Sequence, residues 1–130
     1  MTNLDYLCIK TGQEIGKVTG KNILQKSLGV LQEDGVYAMF LWLEKKAKNA
    51  NIRVKFVELF KEGLLEPYFG EYFKLKTDDF LSFCNVLTDV TKDIDKLLFM
   101  KKIIERTLTY AYYHAREEGE KKGENNVESI

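Results

Sequence analysis

The sequence has little with which to do chemistry. It contains one histidine, two cysteines and one proline. A lone imidazole, His114, and two distant thiols, Cys8 and Cys84, cannot supply the ligand set of a zinc site. The acidic group Asp89, Asp93 and Asp95 lacks the glycine and the terminal glutamate of a calcium loop, so helix capping and solvation are its expected roles. Cys8 and Cys84 have apolar neighbours and read as small core residues rather than activated nucleophiles. His114 falls near the end of a helical pattern, where a cation is favourable, and has no nucleophile beside it. No catalytic residue, metal site or cofactor is expected.

Charge of one sign is also missing in bulk, because lysine plus arginine and aspartate plus glutamate are equal at 20 each. Such a molecule has no long-range field that would hold it on a polyanion, so any phosphate-binding surface must be local. The longest apolar run, residues 36–43, falls far short of the ~20 residues that cross a bilayer. No membrane contact is expected. Scarce cysteine and the absence of a charged-then-apolar leader pattern at the start point to a reduced, cytoplasmic protein.

What is present is helical periodicity. Pro67 is the only proline, and most glycines fall between apolar-periodic stretches, as helices require. Residues 3–18 place Leu4, Leu7, Cys8 and Ile15 on one face, interrupted by Gly12 and Gly16. Asn22 stands as the expected N-cap of a short helix with Ile23, Leu24, Ser27, Leu28 and Leu31 inward, ended by Glu33, Asp34 and Gly35. Val36, Met39, Phe40, Leu43 and Ala47 make the next helix, and Phe56, Val57, Phe60 and then Leu64 the inward face of the one after it. Residues 63–76, with Pro67, Gly70 and four aromatics, read as a packed loop or short turn. Thr77, Asp78 and Asp79 open a further helix with Phe80, Leu81, Phe83, Cys84 and Leu87 as its buried face. Thr91 caps the longest, with a stripe of Ile94, Leu97, Leu98, Met100, Ile104, Leu108, Ala111 and Ala115. The expected fold is all-α: a compact bundle of five or six helices, one domain over residues 1–118, with a flexible charged tail over 119–130.

The segment from Gly16 to Lys21 superficially suggests a phosphate loop, but its glycines are one residue too close and no buried strand precedes it. The strongest functional signal is local basic charge. Lys45, Lys46, Lys48, Arg53, Lys55 and Lys61 fall within seventeen residues, with Glu58 the only acid among them. On the last helix Lys102, Arg106, Tyr110, Tyr113 and His114 share one flank. Cations interleaved with aromatics can clamp a sugar-phosphate backbone or stack on exposed bases. The plainer alternative is a solvated lysine face beside tyrosines at the core edge.

Residues 27–48, SLGVLQEDGVYAMFLWLEKKAK, combine a short apolar helix, a glycine turn and an apolar helix ending in lysines. Residues 97–122, LLFMKKIIERTLTYAYYHAREEGEKK, make a closing helix with a basic, aromatic flank and a charged end. Together they resemble the small helical subunit of type III CRISPR RNA-guided effector complexes, over somewhat more than a third of the chain. The resemblance implies a non-enzymatic subunit of a cytoplasmic antiviral ribonucleoprotein complex, self-associating weakly, stacked beside other subunits and lining the guide and target RNA through backbone contacts. By basic character, the implied RNA-binding positions are Lys45, Lys46, Lys48, Arg53, Lys55, Lys102 and Arg106. The competing expectation is a protein–protein adaptor with no nucleic-acid role. It would use Trp42 and the aromatic stretch Tyr68, Phe69 and Tyr72 as anchors, because large aromatics dominate interfaces.

Overall fold

The structure, a computed structural model, describes residues 3–75 and 77–128, with side chains described as far as Ala115. The described residues form seven α-helices: α1 (Leu4–Val18), α2 (Lys21–Asp34), α3 (Val36–Lys45), α4 (Asn51–Lys61), α5 (Glu66–Phe73), α6 (Phe80–Val90) and α7 (Ile94–Glu128). A short 3-10 turn, Gly63–Leu65, leads into α5, and the described residues contain no strand. The all-α expectation holds, with a higher helix count than the expected five or six. The additional helix is α5, in the stretch expected to be a loop. Pro67 lies in its first turn, where a missing N–H costs nothing, and Phe69 and Phe73 bury one face. The flexible tail expected over 119–130, and with it the boundary at 118, lies outside the described side chains.

Local chemistry sets the helix ends. The Asn3 side chain accepts the Tyr6 N–H at 2.8 Å, and Asp79 accepts that of Ser82 at 2.7 Å. The start of α7 is capped by Asp93, which accepts the Lys96 N–H at 3.2 Å, rather than by Thr91. Asn22 is not the cap of α2 either, since that helix begins one residue earlier behind Gly20. Gly35 does two jobs at once: its N–H closes α2 onto Val30 and Leu31, and its carbonyl accepts the Met39 N–H to open α3. Its φ of 99° is open to glycine and strained for other residues.

That one-residue turn folds α2 and α3 into an antiparallel hairpin. α3 also runs antiparallel to α6, because Phe40 meets Phe83 with ring centroids 4.8 Å apart while Lys45 reaches Phe80. α6 passes into α7 through three residues, so α7 begins beside the C-terminal end of α6. The C-terminal end of α3 and the first turn of α2 therefore lie together, at the opposite end of the bundle from the start of α7.

A chain of phenylalanines crosses the interior. Phe83 touches Phe40, Phe40 touches Phe56, Phe56 stacks on Phe60, and Phe60 reaches Phe69 and Phe73 at 5.0 and 5.5 Å. Phe69 then stacks on Phe99 of α7 at 5.9 Å. These rings knit α3, α4, α5, α6 and α7 together, each buried side chain contributing about 1.5–3 kcal/mol. α7 buries Met100, Ile103, Ile104, Leu108, Ala111 and Ala115. Ile94 and Leu98, expected in that stripe, are 62% and 51% exposed, because α5 packs on the side of α7 that carries Phe99.

Cys8 and Cys84 are buried free thiols. Burial pushes the Cys8 thiol above its ordinary pKa, which disfavours the reactive thiolate. Stability from this group is present below the unfolded thiol's pKa and lost as pH rises through the raised folded value. Both thiols should resist a thiol-specific reagent in the native protein at neutral pH and react fully in denaturant; a fast native phase would contradict their burial.

Candidate nucleic-acid interface

The structure divides the seven expected RNA-binding cations. Arg53 is a correction: it is 7% exposed, its Nε is 3.6 Å from Glu44 Oε2, and its Nη1 donates to the Thr77 carbonyl at 3.4 Å. Its guanidinium also lies 5.8 and 5.7 Å from the Phe80 and Phe83 ring centroids. Arg53 is thus a core clamp between α4 and the start of α6. Lys55 is half-buried and faces Glu14 at 3.4 Å and Glu58 at 3.8 Å. Arg106 is exposed and faces Asp5 at 3.9 Å, an oxygen that also accepts the Tyr110 hydroxyl at 2.6 Å. That hydrogen bond holds the Tyr110 phenol above its ordinary pKa. Lys102 is exposed on α7, one turn beyond Phe99 and away from the lysines of α3.

Lys45, Lys46 and Lys48 remain together. All three are exposed at the end of α3 and in the turn that follows. None forms an ion pair with a described carboxylate. Lys45 extends over the Phe80 ring, its ammonium 5.6 Å from the centroid. Lys48 has φ of 52°, a left-handed conformation costing a lysine about 1–2 kcal/mol relative to glycine. The backbone here is closed by Asn49, whose N–H reaches the Leu43 carbonyl at 2.9 Å.

Beside these lysines the α2–α3 hairpin opens into a cleft of about 390 Å³, lined by Asn22, Ile23, Lys26, Trp42, Lys46 and Ala47. Trp42 is half-buried in it, and Lys26 adds a fourth exposed cation without a described carboxylate partner. Sequence spacing on α3 finds Trp42, Lys45 and Lys46 on one face, at offsets of three and four. Spacing along one helix could not find Lys26. The signal was the tight Gly35 turn, which places the first turns of α2 against the last turns of α3.

The expected aromatic anchors also separate. Phe69 is a correction, fully buried between Phe60 and Phe99 and so out of reach of a partner. Tyr68 is 50% exposed, and Tyr72 is half-buried beneath the Lys96 ammonium, 5.0 Å from its ring centroid. These two tyrosines, with Glu66, Glu71 and Lys96, line a second cavity of about 500 Å³ between α5 and the start of α7. It lies at the opposite end of the bundle from the lysine cluster.

The groups considered for chemistry are dispersed. Asp89 pairs with Lys92 at 3.3 Å and Asp93 caps α7. Among the described residues no three histidine, cysteine, aspartate or glutamate side chains could hold a metal ion together. Among the same residues no helix is long and apolar enough to cross a membrane. Comparison with protein-family models, with curated proteins and with solved structures found no match.

Proposed function

We propose that this chain is a non-catalytic, RNA-contacting subunit of a type III CRISPR ribonucleoprotein effector complex, gripping backbone phosphates with Lys26, Lys45, Lys46 and Lys48. The observation that carries the reading is this cluster of exposed lysines without described carboxylate partners, in a molecule whose charges balance only when the cluster is counted. Elsewhere Arg53, Lys55 and Arg106 each face a carboxylate, whereas these four lysines lie at the adjoining ends of α2 and α3. A compact set of lysines is a point-charge binder of phosphate, suited to backbone contact without reading of sequence.

Filter binding of the protein to an RNA of mixed sequence, titrated from low to physiological salt, tests this. Log affinity should fall linearly with log salt, and Lys45→Ala, Lys46→Ala and Lys48→Ala combined should reduce the slope by about 2. A slope unchanged by the triple substitution would remove the proposal's basis. Lys48→Gly separates binding from folding: it relieves the left-handed strain, so it should stabilise the chain by about 1 kcal/mol while weakening RNA binding.

A second reading, a protein–protein adaptor, draws on the surface around α5 and the start of α7. Tyr68, Leu75, Ile94 and Leu98 are all at least half exposed there. An interface built on them would survive high salt and weaken on Tyr68→Ala. The two surfaces are compatible in one subunit of a complex, one for RNA and the other for neighbouring proteins.

A further inference from the structure

We infer that the α2–α3 cleft is a stacking site for one unpaired nucleotide of a single-stranded nucleic acid, its base against Trp42 and its flanking phosphates on Lys26 and Lys46. The inference rests on the polyanion reading above and adds to it the state of the strand that is bound. Backbone contact alone needs lysines on a convex surface. Here the cation-bearing faces of two helices enclose a concavity of about 390 Å³, within the range of small-ligand sites and roomy for a nucleobase.

The lining suits a nucleotide in its parts. Trp42 supplies an aromatic surface, and Ile23 and Ala47 supply apolar walls. Asn22 brings a carboxamide that both donates and accepts, able to meet the edge of any base. Lys46 follows Trp42 by one helical turn on α3, and Lys26 follows Asn22 by one turn on α2, so a cation borders the cleft on each side. Among the described residues no carboxylate lines the cleft. A peptide could use the apolar wall, but the pairing of an aromatic surface with two cations that have no described carboxylate partner is the composition that single-strand binders use. A paired base is stacked within its helix and cannot enter.

Trp42 is the only tryptophan, so emission excited at the red edge of the absorption band, where the seven tyrosines do not absorb, reports on this cleft. The full chain is titrated at constant low salt with oligouridylate, with a single-stranded DNA of equal length and with duplex RNA, following fluorescence and, separately, filter retention. Single strands should quench Trp42, whereas duplex RNA should be retained without quenching. Trp42→Leu should weaken single-strand binding by roughly tenfold or more and leave duplex binding within about twofold. Equal quenching by the DNA strand would support stacking without sugar discrimination, and quenching by RNA alone would support stacking with it. Retention of single strands with no change in fluorescence would overturn the stacking site and leave the lysine reading standing. Absence of retention for every nucleic acid would overturn both. If Trp42→Leu does not fold, the quenching and its competition by unlabelled single strand still decide the question on the unaltered protein.

Discussion

Alanine at Gly16 is expected to destabilise the fold by about 1–2 kcal/mol and lower the melting temperature by roughly 5 °C. Helix propensity alone argues the reverse, since replacing a mid-helix glycine by alanine normally gains about 0.5–1 kcal/mol. Close approach decides the sign. A Cβ at Gly16 would stand 2.8 Å from the Ala111 carbonyl oxygen, and one at Gly12 would stand 2.9 Å from that of Thr107. Both obstacles are backbone atoms of α7, so the neighbour cannot rotate away and the two helices must separate. Gly12→Ala combined with Gly16→Ala should therefore lose about 3 kcal/mol, and leucine at either site should cost more. Gly29 provides the control. It lies inside α2 with nothing within 4 Å of its would-be Cβ, and Gly29→Ala should stabilise by about 0.5–1 kcal/mol. Thermal melts followed by circular dichroism check all of these, and a Gly16→Ala variant that melts at or above the parent would show that α1 and α7 do not touch there.

The same glycines show where sequence reading succeeds and where it stops. Periodicity is a property of one helix, and most of the inward faces it assigned to α2, α3, α4 and α6 are buried: Leu24, Ser27 and Leu31; Val36, Met39, Phe40 and Leu43; Phe56, Val57 and Phe60; Phe83, Cys84 and Leu87. Ile23, Leu28, Ala47 and Phe80 are only partly covered, and Leu64 and Leu81, also expected inward, are 47% and 76% exposed. Gly12 and Gly16 count within their own helix only as weak helix formers. Their value comes from a helix some hundred residues later, which spacing on α1 cannot reveal. The short α5 was illegible for a related reason: a proline, a glycine and four rings in the surrounding stretch look irregular until Phe60 and Phe99 are present to receive Phe69.

The candidate site divides along the same line. Lys45, Lys46 and Lys48 were legible because cations at a helix end are local chemistry. Lys26 and the cleft were not, because they depend on the path of the chain through the Gly35 turn. Arg53, Lys55 and Arg106 looked available because their carboxylates come from other elements, Glu44, Glu14 and Asp5. A basic cluster in sequence is therefore only an upper bound on free positive charge. The subset left without described partners is what a polyanion would meet.

Arg53 gives this distinction its sharpest consequence. Its guanidinium is enclosed by Glu44, the Thr77 carbonyl and the faces of Phe80 and Phe83. Removing one member of a buried ion pair strands the other charge, a loss of about 3–5 kcal/mol when both groups are fully enclosed. The Glu44 side chain keeps 24% of its exposure, so water can partly replace it and Glu44→Ala should cost less, about 2 kcal/mol. Arg53→Met leaves the partly exposed carboxylate solvated but loses the link to Thr77 and the ring contacts, with a loss of similar size. The double variant Arg53→Met with Glu44→Ala should lose clearly less than the sum of the single losses, because the second change removes a charge that the first has already left unpartnered. Denaturant unfolding of the four proteins yields the coupling, and additive losses would mean that the pair does not interact. RNA affinity measured on the same folded variants should stay within about twofold of the parent. A Lys45, Lys46 and Lys48 variant should behave the opposite way, keeping its stability and losing its RNA, because these lysines face solvent whereas Arg53 faces the core.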